Sequence, residues 1–213
     1  MSASVHNVFE KGLIRGGSSL AYDPIKEYFY VEHPTEGWRV YLRACCFVHE
    51  KPNEDSCIDY STFVVVKRTG QPANEKAWEP PKGQMEAKDG LRHKDWSVMQ
   101  LLRENVKREV GEEARLTNLQ GLRHTNLIFQ GREPDYPPNH FFQYHIFQAV
   151  VPNRTYIRAT TELDWYRAHP AAFARLRRDK REKDALDWYS PADHKLMGKW
   201  SPRIVAMYLN QFA

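Results

Sequence analysis

The chain has 213 residues, 41% hydrophobic and 27% charged, with 11 Tyr, 10 Phe and 6 Trp, which fits one soluble globular domain with a core and some decorations and is short for two. Mean hydropathy is -0.70, no apolar run approaches the ~20 residues of a membrane span, and the opening Met1-Ser2-Ala3-Ser4-Val5-His6 lacks the basic and apolar regions of a secretory signal. A cytoplasmic protein with no membrane partner is therefore expected, and its net charge of +4 suits a phosphate-rich ligand without demanding nucleic acid.

Residues 1–34 mix turn signals with the aromatic run Tyr28-Phe29-Tyr30 and read as an ordered arm or edge element. Strands are expected at 39–49 and 62–67, joined by a polar loop over 50–60. Cys45 and Cys46 are adjacent in the first strand, so their side chains point to opposite faces; with Cys57 they make an odd number without CxxC spacing, and buried reduced thiols are expected at the pair. Residues 70–90 are too rich in Pro, Gly and Lys to predict regular structure. The pattern from 95 to 114 is helical, with Asp95 as cap and apolar Val98, Met99, Leu102, Val106 and Val110. Strand-like segments follow at 125–130 and 140–151. Residues 162–187 form a highly charged insertion, in which the run from Arg175 to Asp184 reads as a solvated helix. Ser201-Pro202 then caps a last helix leading into residues 204–209. This order of strands, helix, strands and closing helix suits a mixed sheet with helices packed on it.

The helix at 95–114 carries the chemistry. At ~100° per residue its apolar positions share one arc, Glu109 and Glu113 point into or beside that arc, and Glu112 lies at its edge. Glu104, Lys107 and Gly111 fall on the far side. Surface pairing such as Glu104 with Arg108 accounts for part of this helix. It leaves carboxylates aimed at the buried side, and these need a cation or a basic side chain. Spacing of i, i+3 and i+4 puts Glu109, Glu112 and Glu113 together in a way that suits a hard cation with oxygen ligands.

Residues 108–116, Arg-Glu-Val-Gly-Glu-Glu-Ala-Arg-Leu, resemble the second half of the Nudix box, and residues 78–86, Trp-Glu-Pro-Pro-Lys-Gly-Gln-Met-Glu, resemble the loop that opens it. The resemblance covers residues 78–116. The Trp-x-Pro-Pro-Lys-Gly form is similar to dinucleoside polyphosphate hydrolases and mRNA-decapping enzymes, including those of large DNA viruses and eukaryotes. It implies an α/β fold, a Nudix-like α/β/α sandwich with a mixed sheet and helices on both faces, in a single domain spanning 1–213. It also implies Mg²⁺- or Mn²⁺-dependent cleavage of a phosphoanhydride in a nucleoside diphosphate linked to another group: a dinucleoside polyphosphate, a diphosphoinositol polyphosphate or an mRNA cap. By that resemblance Glu112 and Glu113 are metal ligands, Glu109 a ligand or the base, the Gly83 carbonyl completes the shell, and Arg108 orients the glutamates. Lys82 would meet a phosphate and Glu86 act as an outer ligand.

The sequence departs from the family pattern in two places. Gly83 and Arg108 are 25 positions apart where the pattern has 14, so 11 residues are inserted and Gln100 stands where the middle acid is expected. Arg115 replaces the Gly that follows the helix, at a position where a left-handed backbone strains any side chain. Glu162, Asp184 and Asp187 are candidates for a further acid from a late loop. Arg175, Arg177, Arg178, Lys180, Arg181 and Lys183 could track the backbone of a capped RNA. Trp188, Phe141, Phe142 and Tyr144 are assigned to packing, and the scattered histidines give no zinc spacing. The competing expectation is a Nudix-fold RNA- or nucleotide-binding module with weak or no turnover.

Overall fold

The computed structural model describes residues 4–54 and 56–213; residues 1–3, part of the stretch read for a secretory signal, and residue 55 of the expected polar loop lie outside the described residues. The chain forms two compact units: residues 1–45, 83–106 and 126–146 make the first, and residues 46–82, 107–125 and 147–213 the second.

In the first unit the expected arm is a β-hairpin, β1 (Ile14–Leu20) and β2 (Asp23–Glu32), antiparallel along its length. β2 in turn pairs antiparallel with β3 (Arg39–Glu50). The sheet order is β1-β2-β3-β8-β7, with β8 spanning His140–Val151 and β7 Gln120–Gly131. The expected strands at 39–49, 125–130 and 140–151 are therefore present. Alternating burial along β2 puts Phe29 and Val31 in the core with Leu42, Met85 and Phe142.

Residues 70–90 are more ordered than their composition predicts. They contain β5 (Lys76–Glu79), β6 (Lys82–Gln84), which pairs with β3, and the start of the short helix α1 (Ala87–Arg92). Tertiary packing overrides weak local propensity here. A Cβ on Gly90 would stand 2.2 Å from the Phe29 ring, so only glycine lets α1 lie this close to β2.

The main helix, α2, spans Val98–Ala114. Its start is fixed by Ser97 rather than Asp95. The Gln100 amide donates to Ser97 Oγ at 3.2 Å, and the Gln100 side-chain oxygen accepts from the Ser97 amide at 2.8 Å, a reciprocal capping box. Gln100, which stands where the family motif expects an acid, thus has a structural task.

The second unit is built on a mixed four-stranded sheet, β10-β5-β4-β9. β4 (Val64–Arg68) pairs antiparallel with β5 and with β9 (Lys183–Trp188), and β10 (Lys195–Leu196) runs parallel to β5. The α/β class and the mixed sheet match the expectation. The run 175–184 is not a solvated helix: α3 (Asn153–Ala168) packs on β9, α4 (Pro170–Ala174) follows, and within the run Arg178–Arg181 is a single 3-10 turn leading into β9.

The closing helix α5 (Ser201–Phe212) carries Pro202 in its first turn and buries Ile204, Val205 and Tyr208 on one side. Tyr208 stacks on Phe47 with ring centroids 3.6 Å apart, and its hydroxyl lies 2.7 Å from His49 Nε2. Trp188 stacks on Tyr156 at 4.4 Å, a packing role as expected, and Phe142 and Tyr144 are buried. Cys45 and Cys46 are buried thiols outside any disulfide, and Cys57 is an exposed one. Among the described residues no helix is long and apolar enough to cross a membrane.

Candidate active site

The site assembles from three elements of the second unit: the last turns of α2, the end of β5, and the start of β9. The burial of α2 follows the sequence period, with Val106, Val110 and Ala114 fully covered. Glu113 falls on that covered side and is 4% exposed. Glu109 and Glu112 flank it, with side chains 12% and 17% exposed. Arg108 spans both neighbours, donating from Nη2 to Glu109 Oε1 and from Nη1 to Glu112 Oε2, each at 2.7 Å. Arg108 thus ties the two flanking carboxylates to one guanidinium.

Glu113 has a different environment. Its Oε2 accepts the Lys82 amide at 2.9 Å, and its Oε1 stands 3.1 Å from Lys183 Nζ. Lys183 also donates to Glu79, and Lys82 Nζ stands 2.7 Å from Glu79 Oε2. The Ser201 hydroxyl donates to Glu79 as well, at 3.1 Å, instead of capping its own helix.

Local sequence explains how these four charges meet. Glu79 ends β5, Pro80 and Pro81 keep Glu79 and Pro80 out of helical backbone, and after a bend at Pro81 Lys82 returns both its amide and its ammonium to the carboxylates. On the sheet, β4 pairs Val66 with Glu79 and Arg68 with Lys183. The register slips between Lys67 and Arg68, so Lys183 rather than Asp184 stands opposite Arg68 and shares a face with Glu79.

The electrostatics divide the four glutamates. Burial by itself would raise the Glu79 carboxyl, but Lys82 and Lys183 outweigh it and hold the group down at about 2. Glu113 goes the other way, because its burial and the nearby Glu79 outweigh Lys183 and Lys82. Glu109 is pushed up to about 8 by burial in spite of Arg108, with Glu113, Glu112 and Glu182 adding to the rise. A carboxyl at that value exchanges its proton near neutrality, as a general acid or base must.

An open cavity of about 430 Å³ borders this network. Its wall contains Glu79, Lys82, Glu113 and Lys183 together with Arg68, Thr69, Arg178, Arg181 and Glu182. Lys82 thus stands where a substrate phosphate could meet it, though its ammonium is held by Glu79.

Other sequence-predicted residues have their own surroundings. Gly83 follows Lys82 in β6, and Glu86 is held between Lys26 and Lys88 at 3.3 and 2.7 Å. Of the late acids, Glu162 pairs with Arg115, Asp184 with Lys67 at 2.6 Å, and Asp187 is half exposed beside His194. None of the three lines the cavity; the acid that does is Glu182. Lys183 is buried between two carboxylates and so cannot be part of an RNA track. Arg175, Arg177 and Lys180 are exposed but do not line the cavity, whereas Arg178 and Arg181 do.

Arg115 does take the left-handed backbone, with φ of 60°. Its buried guanidinium compensates by donating to the carbonyls of Glu112 and Lys180 and standing 3.3 Å from Glu162. The sequence did not single out Glu79, Arg68 or Glu182, and it offered Lys183 only as a contact to RNA. The charges flanking Pro80-Pro81 were a visible signal for Glu79, but nothing local distinguishes Lys183 from its basic neighbours.

The donor chemistry fits a hard divalent cation: three carboxylates lie within two turns of one helix, Glu113 buried and Glu109 and Glu112 largely covered. Among the described residues no three His, Cys, Asp or Glu side chains form a ready ligand group; Arg108 holds Glu109 and Glu112, and Lys183 stands beside Glu113.

The sequence matches no family model and no curated protein. Solved structures do resemble it. The NUDIX domain of Shewanella oneidensis NrtR, complexed with ADP ribose, is 11% identical, with 85% of this chain and 94% of that chain covered at a TM-score of 0.45. A NUDIX hydrolase from Nitrosomonas europaea is 11% identical, covering 80% and 88% at 0.43. A putative NUDIX hydrolase from Listeria monocytogenes is 14% identical, covering 80% and 92% at 0.43. All three carry the Nudix description. The functional residues of this chain are read from its own geometry.

Proposed function

We propose that this protein is a Nudix-type hydrolase that cleaves a phosphoanhydride bond, with Mg²⁺ or Mn²⁺ as its cofactor. The observation that carries the reading is the set Arg108, Glu109, Glu112 and Glu113 on one side of α2, with Glu113 opening onto a charged cavity. A bound divalent cation would neutralise charge on the phosphate oxygens and acidify water. Glu109 and Glu112 would hold it, as carboxylates that now share one guanidinium between them. Arg108 keeps their side chains on the same side of the helix. Burial holds the Glu109 carboxyl at about 8 in the metal-free chain, so a cation binding there would release its proton. Lys82, on the cavity wall, would meet the leaving phosphate as it gathers negative charge, in exchange for its contact with Glu79.

The test is divalent-dependent hydrolysis over a panel of capped RNA, diadenosine polyphosphates, diphosphoinositol polyphosphates and nucleotide sugars. Glu112→Gln is expected to lower turnover by at least 100-fold without unfolding the chain. Turnover unchanged in that variant would sink the carboxylate assignment.

One observation favours a second reading, a nucleotide-binding module without turnover: each glutamate of the set already has a basic partner. Tight binding with no product from any substrate on the panel, with either metal ion, would establish it.

A further inference from the structure

We propose that Arg68, Arg178 and Arg181 form an anion subsite on the wall of the cavity, built to take a linear run of three or more phosphates. The inference deepens the hydrolase reading and rests on it only for the identity of the scissile bond.

The cavity wall is unlike an ordinary small-molecule pocket. Such sites are mostly apolar, with a few polar groups that fix orientation. Here every wall residue is charged apart from Thr69, so a nucleobase or an aliphatic chain would find nothing to pack against. The wall holds five basic side chains against three carboxylates, an excess of two positive charges. The pairing within it is uneven. Lys82 and Lys183 are taken up by Glu79 and Glu113. Among the described residues Arg68, Arg178 and Arg181 have exposed guanidiniums with no carboxylate partner.

Backbone geometry aims these three groups. Arg178 and Arg181 open and close one 3-10 turn. With three residues per turn, positions i and i+3 lie above one another, so both guanidiniums leave the same side. The intervening Asp179 and Lys180 face elsewhere and are absent from the wall. Arg68 ends β4 opposite Lys183. The two segments are tied together: the Thr69 hydroxyl donates to the Arg181 carbonyl, at 2.6 Å, and the Thr69 amide to that of Glu182, at 3.0 Å.

Guanidinium is the group that recognises phosphate in two-pronged fashion, and three of them match a chain of phosphates better than a single one. An RNA backbone would instead use the whole basic run, including Arg175, Arg177 and Lys180, which the wall excludes.

The experiment measures calorimetric binding of inorganic tripolyphosphate and pyrophosphate to the full chain in chelator, so that no metal takes part. Tripolyphosphate is expected to bind more tightly than pyrophosphate. Arg178→Gln with Arg181→Gln should weaken it by at least 10-fold and Arg68→Gln by about 5-fold, magnitudes typical of losing charged contacts to phosphate. Arg175→Gln with Arg177→Gln should leave it unchanged. Equal affinity for the two anions, or no effect of the Arg178 and Arg181 pair, would overturn the proposal. So would a single-stranded RNA that binds more tightly than tripolyphosphate and is weakened equally by both double variants. The two readings separate cleanly. Tripolyphosphate binding that depends on the arginines, with no hydrolysis of any panel substrate, upholds the subsite and removes the enzyme. Hydrolysis with arginine-independent anion binding does the reverse.

Discussion

At the scale of single residues, Lys183 matters most for stability. Its ammonium is 5% exposed and stands between two carboxylates that are equally covered. Removing one partner from a buried ion network leaves uncompensated charge, which costs about 3–5 kcal/mol. Lys183→Met is therefore expected to destabilise the chain by that amount in denaturant unfolding. Adding Glu113→Gln should recover part of the loss, since Glu113 is the carboxylate left without an ion-pair partner while Glu79 keeps Lys82.

Glu109 makes a second residue-scale prediction, through pH. Its folded value of about 8 lies above the ordinary 4.5, so the folded chain binds a proton that the unfolded chain releases. The associated stability is complete below pH 4.5 and fades as pH rises through about 8. Glu79 acts in the opposite sense: held at about 2, it contributes above 4.5 and is lost as pH falls toward 2. Unfolding followed in chelator from pH 4.5 to 8.5 should show the first decline in the wild type. A Glu109→Gln variant, which fixes the neutral form, should show a flatter profile.

At the scale of elements, α2 is the frame of the site and it carries a weak point. Gly111 lies in its last two turns, and a Cβ there would meet nothing within 4 Å. Glycine in a helix interior costs about 0.8–1.0 kcal/mol relative to alanine. Gly111→Ala is thus expected to raise stability by somewhat less than 1 kcal/mol, read as a higher denaturation midpoint, with the carboxylates undisturbed. The apolar side of α2, the inward Glu109 and Glu113 and the solvated Glu104 and Lys107 were all legible in the sequence, because a helix repeats every 3.6 residues whatever it packs against. The strands at 39–49 and 140–151 were legible for the same kind of reason. β5 and β6 were not. Short strands among prolines and lysines are held by their neighbours' hydrogen bonds, such as that from the Met85 amide to the Leu42 carbonyl at 2.9 Å, and those neighbours are distant in sequence.

For the molecule as a whole, metal binding should appear as stability. A ligand that binds only the folded chain adds about 2.7 kcal/mol at 100 times its Kd. Mg²⁺ or Mn²⁺ is expected to raise the melting temperature in a saturable way, reversed by chelator, and Glu112→Gln should abolish the rise. No metal-dependent shift in the wild type would count against the carboxylates of α2 as a cation site.

The sequence by itself determined that the chain is α/β and that a charged helix turns carboxylates toward its covered side. All of this follows from periodicities of two and 3.6 residues and from i, i+4 spacing. Tertiary structure alone decided what neutralises those carboxylates and which basic residues face the cavity. Lys183 and Glu79 are 104 positions apart, and their meeting depends on β9 and β5 flanking β4 with a one-residue slip in register. Such pairings bring together side chains from separate strands, and no local pattern records them.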